Sequence, residues 1–176
     1  MADPLPRRIW IVGPTGAGKS TVAAALAARL GVSAVHLDDL HWAPGWVERS
    51  EQDLIDRLAP LVAGDAWVVD GNYSHARRAH GGRAELFVWL DLPFRTTFPR
   101  LLRRAVNRSF SGETCCNGNR ESLSRAFLHK DSILLWSIRT RFIGRRDYAE
   151  EFATRPHLRL RSAREVSAFV ERAAAG

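Results

Sequence analysis

Lysine is almost missing from this chain of 176 residues: Lys19 and Lys130 are the only two among 26 basic residues, so the other 24 are arginines. The planar arginine fork suits bidentate contact with phosphate, although a codon bias toward Arg and Ala would give the same composition. Cysteine is equally scarce. The two present, Cys115 and Cys116, are neighbours, which excludes an ordinary structural disulfide between them. No second Cys or His pair stands at ligand spacing, so a zinc site is excluded as well. They read as reduced loop thiols, as expected of a cytoplasmic protein. No stretch approaches the roughly 18–20 apolar residues of a membrane span. The opening Met-Ala-Asp-Pro-Leu-Pro-Arg-Arg carries no apolar run of the secretory kind. The net charge of +7 is compatible with a nucleic-acid partner but does not by itself select one. A 45% hydrophobic content and this length fit one domain spanning 1–176, as a monomer or a homodimer.

Against these absences stands one dense motif. Gly13-Pro14-Thr15-Gly16-Ala17-Gly18-Lys19-Ser20 fits G-x-x-x-x-G-K-[ST], the loop that cradles nucleoside triphosphate phosphates. Its glycines let backbone N–H groups converge on anionic oxygens. Lys19 supplies a charge for the β- and γ-phosphates, and the Ser20 hydroxyl a ligand for Mg²⁺. Ile9–Val12 reads as a buried strand before the loop. Thr21–Leu30 reads as a helix after it, ending at Gly31. ATP with Mg²⁺ is the expected ligand.

The rest of the chain alternates short apolar runs with amphipathic ones. Strands are predicted at Arg8–Val12, Ala34–Leu37, Ala66–Asp70, Leu86–Leu90 and His157–Leu160. Helices are predicted at about 19–30, 50–63, 94–109, 120–146 and 162–174. This is the pattern of βαβ units and a parallel sheet covered on both faces. Ser50 and Asp53 form a variant capping box, and Pro60 should kink or shorten that helix. Residues 109–120 lack either periodicity and read as a mobile lid flanked by arginines.

Two apolar runs end in Asp, at Asp70 and Asp91, and either could supply a second acid near Mg²⁺. Asp70 is favoured because Gly71-Asn72-Tyr73 turns the chain closely there, whereas Leu92-Pro93 looks like a structural exit. Asp38, at the end of the second strand, would orient an acceptor hydroxyl; Asp38 or Asp39 could instead cap a short helix. His36 and His41 are substrate-contact candidates of lower rank. Arg100, Arg104 and Arg108 share one helical face, followed by Arg120 and by Arg139, Arg141, Arg145 and Arg146. Such clusters flanking a loop suit a transferring phosphoryl group, with Arg104 and Arg120 foremost. Trp42 and Trp46 could line an acceptor pocket, while Trp10, Trp67 and Trp89 read as core.

These motifs together resemble the P-loop nucleoside monophosphate kinase-like family, in its adenylate-kinase-related branch of DNA topology modulation kinase-like proteins. The carriers are Gly13–Ser20, His36-Leu-Asp38, Trp42-x-Pro-Gly-Trp46, Trp67-Val-Val-Asp-Gly-Asn-Tyr73, Trp89-Leu-Asp-Leu-Pro93, Asn117-Gly-Asn-Arg120 and Leu160-Arg-Ser162. The resemblance implies a three-layer α/β P-loop NTPase fold: a five-stranded parallel sheet in the order 2-3-1-4-5, with an arginine-bearing lid. In that order the third strand neighbours the P-loop strand, which supports Asp70 as the Mg²⁺-side acid. It also implies that Thr21 completes the nucleotide contacts and that Arg161 lies against the base. Adenylate kinases carry Asp-Gly-Phe-Pro-Arg after the third strand. Here the segment is Asp70-Gly-Asn-Tyr-Ser74, and the nearest arginines are Arg77 and Arg78. The expected activity is transfer of the γ-phosphoryl group of ATP to a nucleoside monophosphate or another small acceptor. The alternatives are a gluconate- or shikimate-type metabolite kinase and, from a different class, an NTP-binding regulatory protein on nucleic acid.

Overall fold

The computed structural model describes residues 5–111, 113–120, 132–140 and 143–175. Five parallel strands form the central sheet: β1 (Arg8–Val12), β2 (Ala34–His36), β5 (Trp67–Asp70), β6 (Leu86–Leu90) and β9 (His157–Leu160). Their spatial order is β2-β5-β1-β6-β9, which is 2-3-1-4-5 when only these five are numbered. Two small antiparallel hairpins stand apart from the sheet. One pairs β3 (Trp42–Ala43) with β4 (Val47–Glu48), the other β7 (Thr114–Cys115) with β8 (Asn119–Arg120).

Period-two alternation sorts the sheet's side chains into two unlike layers. Ile9, Ile11, Val68, Val88 and Leu90 face α1 (Lys19–Leu30) and α8 (Ala163–Ala175), packing on Val22, Leu26 and Phe169. Trp10, Trp67, Val69, Phe87 and Trp89 face the other way. They meet Leu54 and Leu58 of α3 (Glu51–Leu61), Tyr148 of α7 (Ile143–Glu151) and Phe152 just past its end. Ile9, Trp10 and Ile11 are all 0% exposed; burying an Ile of this kind contributes up to about 3 kcal/mol. One side of the sheet is therefore aliphatic and the other aromatic.

Local chemistry explains the element ends. Gly31 closes α1 in the left-handed conformation, with backbone bonds back to Ala27 and Ala28. Ser50 Oγ accepts the Asp53 N–H at 3.1 Å and starts α3, and Pro60 sits in that helix's last turn, ending it at Leu61. The second strand stops at His36 because Leu37 begins α2 (Leu37–His41); a short helix does follow, but its N-cap is His36, and Asp38 and Asp39 lie in its first turn rather than capping it. Between β5 and β6 lies α4 (Ser74–His80), which the sequence did not suggest: Ser-His-Ala-Arg-Arg-Ala-His has no apolar stripe. The basic helix α5 (Phe94–Ser111) runs two residues beyond its predicted end. Of the predicted 120–146 helix, residues 121–131 and 141–142 lie outside the described residues. Of the remainder, Arg120 belongs to β8, Ser132 to no element, and the rest to α6 (Ile133–Thr140) and the start of α7. No described helix is long and apolar enough to cross a membrane.

Candidate functional site

The C-terminal edge of a parallel sheet is where open α/β folds bind ligands, and here that edge opens into a cavity of about 1110 Å³. Its floor is the loop between β1 and α1. Gly16 holds φ +83°, and a Cβ there would collide with the Thr97 carbonyl of α5. The loop thus lies against α5, with Gly18 also left-handed at the start of α1. Lys19 Nζ donates to the Gly13 carbonyl at 3.0 Å and to the Pro14 carbonyl at 3.4 Å. Desolvation pushes the Lys19 pKa down, opposed by the charges of Asp38 and Asp70. A half-buried ammonium that spends its hydrogen bonds on its own loop carbonyls is poised for a stronger anionic partner.

Thr15, Gly16, Gly18, Lys19, Ser20 and Thr21 line the cavity, as the motif requires. Gly13, Pro14 and Ala17 form the loop's frame instead. Asn72 grips Gly13 from both sides: its Nδ2 donates to the Gly13 carbonyl at 2.8 Å and its Oδ1 accepts the Gly13 N–H at 3.1 Å. This clamp joins the phosphate loop to the turn after β5. Its residue belongs to the Asp-Gly-Asn-Tyr motif, but a motif cannot reveal which backbone it holds.

The two candidate acids separate cleanly. Asp91 is 3% exposed and accepts from Arg159 at 2.7 and 3.0 Å, with the Arg159 guanidinium lying 4.0 Å from the Trp89 ring centroid. That arrangement is an internal brace. Asp70 lines the cavity, registered between Ile11 of β1 and His36 of β2. Its Oδ2 lies 2.9 Å from His36 Nδ1, a bond that raises the His36 pKa against the opposing effect of burial. Gly71 allows the turn that follows, with φ +146° and Leu37 so near that a Cβ would come within 2.7 Å of it. Trp10 supports the turn from beneath, its Nε1 donating to the Gly71 carbonyl at 3.2 Å.

Across the cavity, Asp38 accepts the Tyr73 hydroxyl at 2.8 Å. Burial, then the Asp38 charge, pushes the Tyr73 pKa up, so the phenol stays a donor. Burial also raises the Asp39 pKa and lowers that of His41. His41, Trp42, Trp46 and Tyr73 make an aromatic wall, with ring centroids 4.7 Å apart for His41–Tyr73 and 5.5 Å for Trp42–Trp46. Glu48, Cys115, Cys116 and Asn117 line the cavity too; the last three fall in the expected lid stretch, with Asn117 in the Asn-Gly-Asn-Arg motif, but none was singled out as a site residue.

The arginines divide. Arg104 lines the cavity, as do Arg108 and Arg139, and the buried Arg104 Nε has no hydrogen-bond partner among the described residues. Arg120 does not: it is exposed on β8, and its carbonyl accepts the Trp46 indole N–H at 3.1 Å. Arg161 also stands outside the cavity wall, its backbone N–H bonded to Glu165 at 2.8 Å. Arg141 lies outside the described residues. Arg77, a candidate for an acceptor phosphate, is 3% exposed and paired with Glu151 at 2.8 Å, with a further bond to the Asn72 carbonyl. Arg78 is exposed and likewise off the cavity wall. Within the stretch expected to serve as an irregular lid, residues 114–120 form a hairpin bonded to the β3–β4 hairpin through Asn117 and Asn119.

No protein-family profile and no curated protein matches the chain. Among solved structures it is similar to a gluconokinase from Sinorhizobium meliloti 1021, with 18% identity, a TM-score of 0.52, and coverage of 97% of this chain and 90% of that one. It is also similar to the shikimate kinase of Acinetobacter baumannii in complex with shikimate, with 18% identity, a TM-score of 0.58, and coverage of 94% and 89%. The shikimate kinase of Bacteroides thetaiotaomicron compares at 16% identity and a TM-score of 0.56, covering 94% and 95%. The chain thus has the α/β fold of small P-loop kinases over nearly its whole length. These neighbours do not single out the adenylate-kinase-related branch.

Proposed function

We propose that the protein is a small ATP-dependent kinase acting on a compact hydroxylated metabolite. The observation that carries this reading is the convergence of Lys19, Ser20, Asp70, Asp38 and Arg104 on one cavity at the sheet's C-terminal edge. In it the loop amides and Lys19 bind the β- and γ-phosphates, Lys19 trading its loop carbonyls for phosphate oxygens. The Ser20 hydroxyl and the Asp70 carboxylate are hard oxygen donors, the chemistry Mg²⁺ prefers, and would hold it there. Among the described residues no cluster of three or more His, Cys, Asp or Glu offers an all-protein metal cage; a cation shared with substrate phosphates needs none. Bound Mg²⁺ would neutralise developing charge on the phosphates. Arg104, with Arg108 and Arg139, faces the transferring group from α5 and α6. Asp38 accepts the hydrogen bond of the acceptor hydroxyl, orients it, and takes its proton as the new O–P bond forms and ADP leaves.

The metabolite version is preferred over a nucleoside monophosphate because of Arg77. A phosphate-bearing acceptor wants an unengaged cation on its side, and this one is committed to Glu151 inside the protein. The test is ADP release from ATP–Mg²⁺ against sugar acids, polyols, nucleosides and nucleoside monophosphates, with product masses measured. The reading expects a product heavier than a hydroxylated metabolite by one phosphoryl group, lost in Lys19→Ala. Phosphorylation of a nucleoside monophosphate alone would return the acceptor to the nucleotide class. Full activity in Lys19→Ala would overturn the kinase reading.

A further inference from the structure

The hairpin at 114–120 is tied to the β3–β4 hairpin far more heavily than a mobile flap requires. Asn119 is 5% exposed. Its Oδ1 accepts the Trp46 N–H at 2.9 Å, and its Nδ2 donates to the Ala43 carbonyl at 2.9 Å and the Cys116 carbonyl at 2.7 Å. Asn117 Nδ2 donates to the Trp42 carbonyl at 2.6 Å and to the Asp39 carbonyl. The Trp46 indole closes the set on Arg120. Both turns also hold non-glycine residues in left-handed backbone: Trp46 at φ 61°, Cys116 at 40° and Asn117 at 61°. Trp46 and Cys116 are residues that rarely adopt this conformation, which persists only where the surroundings over-determine it.

We propose that Asn117 and Asn119 pin the two hairpins into a fixed roof over the acceptor half of the cavity, which stands assembled before nucleotide arrives. This rests on reading the cavity as a kinase site. The pinned pieces carry the acceptor wall: Trp42 and Trp46 on one hairpin, Cys115 and Cys116 on the other, and Asp39, whose own carbonyl is one of the pins. Asparagine suits the role because one terminal amide can accept from one hairpin and donate to both, which neither Asp nor Leu of similar size can do. Asn117 and Asn119 are positioning residues: the reacting groups are Asp38 and the arginines across the cavity. A roof of this kind keeps water from the phosphoryl group while an acceptor is awaited.

Amide hydrogen exchange on the full chain, with and without ATP–Mg²⁺, tests this at the Trp46 N–H. The proposal expects that amide to be protected in the nucleotide-free protein and to change less than about threefold on adding nucleotide. Asn119→Ala should lower its protection by about tenfold or more, the loss of roughly one to two hydrogen bonds. The same variant should raise acceptor-independent ATP hydrolysis several-fold, whereas general loosening would lower nucleotide binding and turnover together. Should Asn119→Ala not fold, Asn117→Ala and the wild-type comparison decide the matter. A Trp46 amide that exchanges freely until nucleotide is added would overturn the proposal and make the hairpin a nucleotide-closed lid. If Trp46 is protected but ATP does not bind, the pin stands and the kinase reading falls.

Discussion

At the scale of single residues, several polar side chains serve the site by holding backbone rather than substrate. Asn72 clamps Gly13, Trp10 props Gly71, and Arg77 ties Glu151 of α7 to the Asn72 carbonyl. Arg77→Ala removes the closer of the two cations on half-buried Glu151, leaving Arg155 at 3.9 Å, and frees the Asn72 carbonyl, so it should cost roughly 1–3 kcal/mol of stability, measured as a lowered urea midpoint. Arg78→Ala, on an exposed neighbour, should stay within about 0.5 kcal/mol of wild type. Trp10→Phe keeps most of the aromatic packing and loses the bond to Gly71. A loss of about 1 kcal/mol is expected, together with reduced ATP turnover as the turn below Asp70 loosens. Unchanged turnover would mean that the indole bond does not position Asp70.

At the scale of elements, the loop and strand ends set the function. Gly16→Ala places a methyl against the Thr97 carbonyl in a left-handed conformation, so it should destabilise the protein by about 2 kcal/mol or more and abolish ATP binding by calorimetry. At the opposite edge of the sheet, Glu85 accepts from the backbone N–H groups of Arg7 and Arg8 and from the Arg8 side chain, joining β6 to β1. Its pKa is lowered, first by the Arg7 N–H bond. A depressed carboxyl pKa stabilises the fold above the ordinary Glu range of about 4.3 and ceases to do so as pH falls through the folded value. Thermal midpoints of wild type and Glu85→Gln should therefore differ at neutral pH and converge in acid. The sequence showed all five sheet strands to within a residue, because short apolar runs bounded by turn residues are a local signal; that Asp70 neighbours the P-loop strand followed from the family resemblance. It did not show α4, whose stripe is arginine and alanine, nor the docking of 114–120, whose bonds cross 73 to 78 residues. The same limit explains Arg77 and Arg120: proximity in sequence to a motif says nothing about which way a guanidinium turns.

At the scale of the whole molecule, ligand binding should be read in global stability, because the phosphate loop is wedged between the sheet and α5. ATP–Mg²⁺ at a hundred times its Kd should add about 2.7 kcal/mol, or roughly 5–10 °C in Tm for a chain of this length. Lys19→Ala should remove that shift while keeping the ligand-free Tm near wild type. The two-layered core carries a further implication for how this protein can change. Behind β1, the aliphatic layer of Ile, Val and Leu can be resized a methyl at a time, and volume-conserving swaps there should cost less than about 1.5 kcal/mol. In front, Trp10, Trp67, Phe87, Trp89 and Phe152 interlock as large rigid plates; trimming one to alanine should cost about 3–5 kcal/mol. A saturation scan should accordingly divide along the plane of the sheet, permissive toward α1 and α8 and intolerant toward α3 and α7.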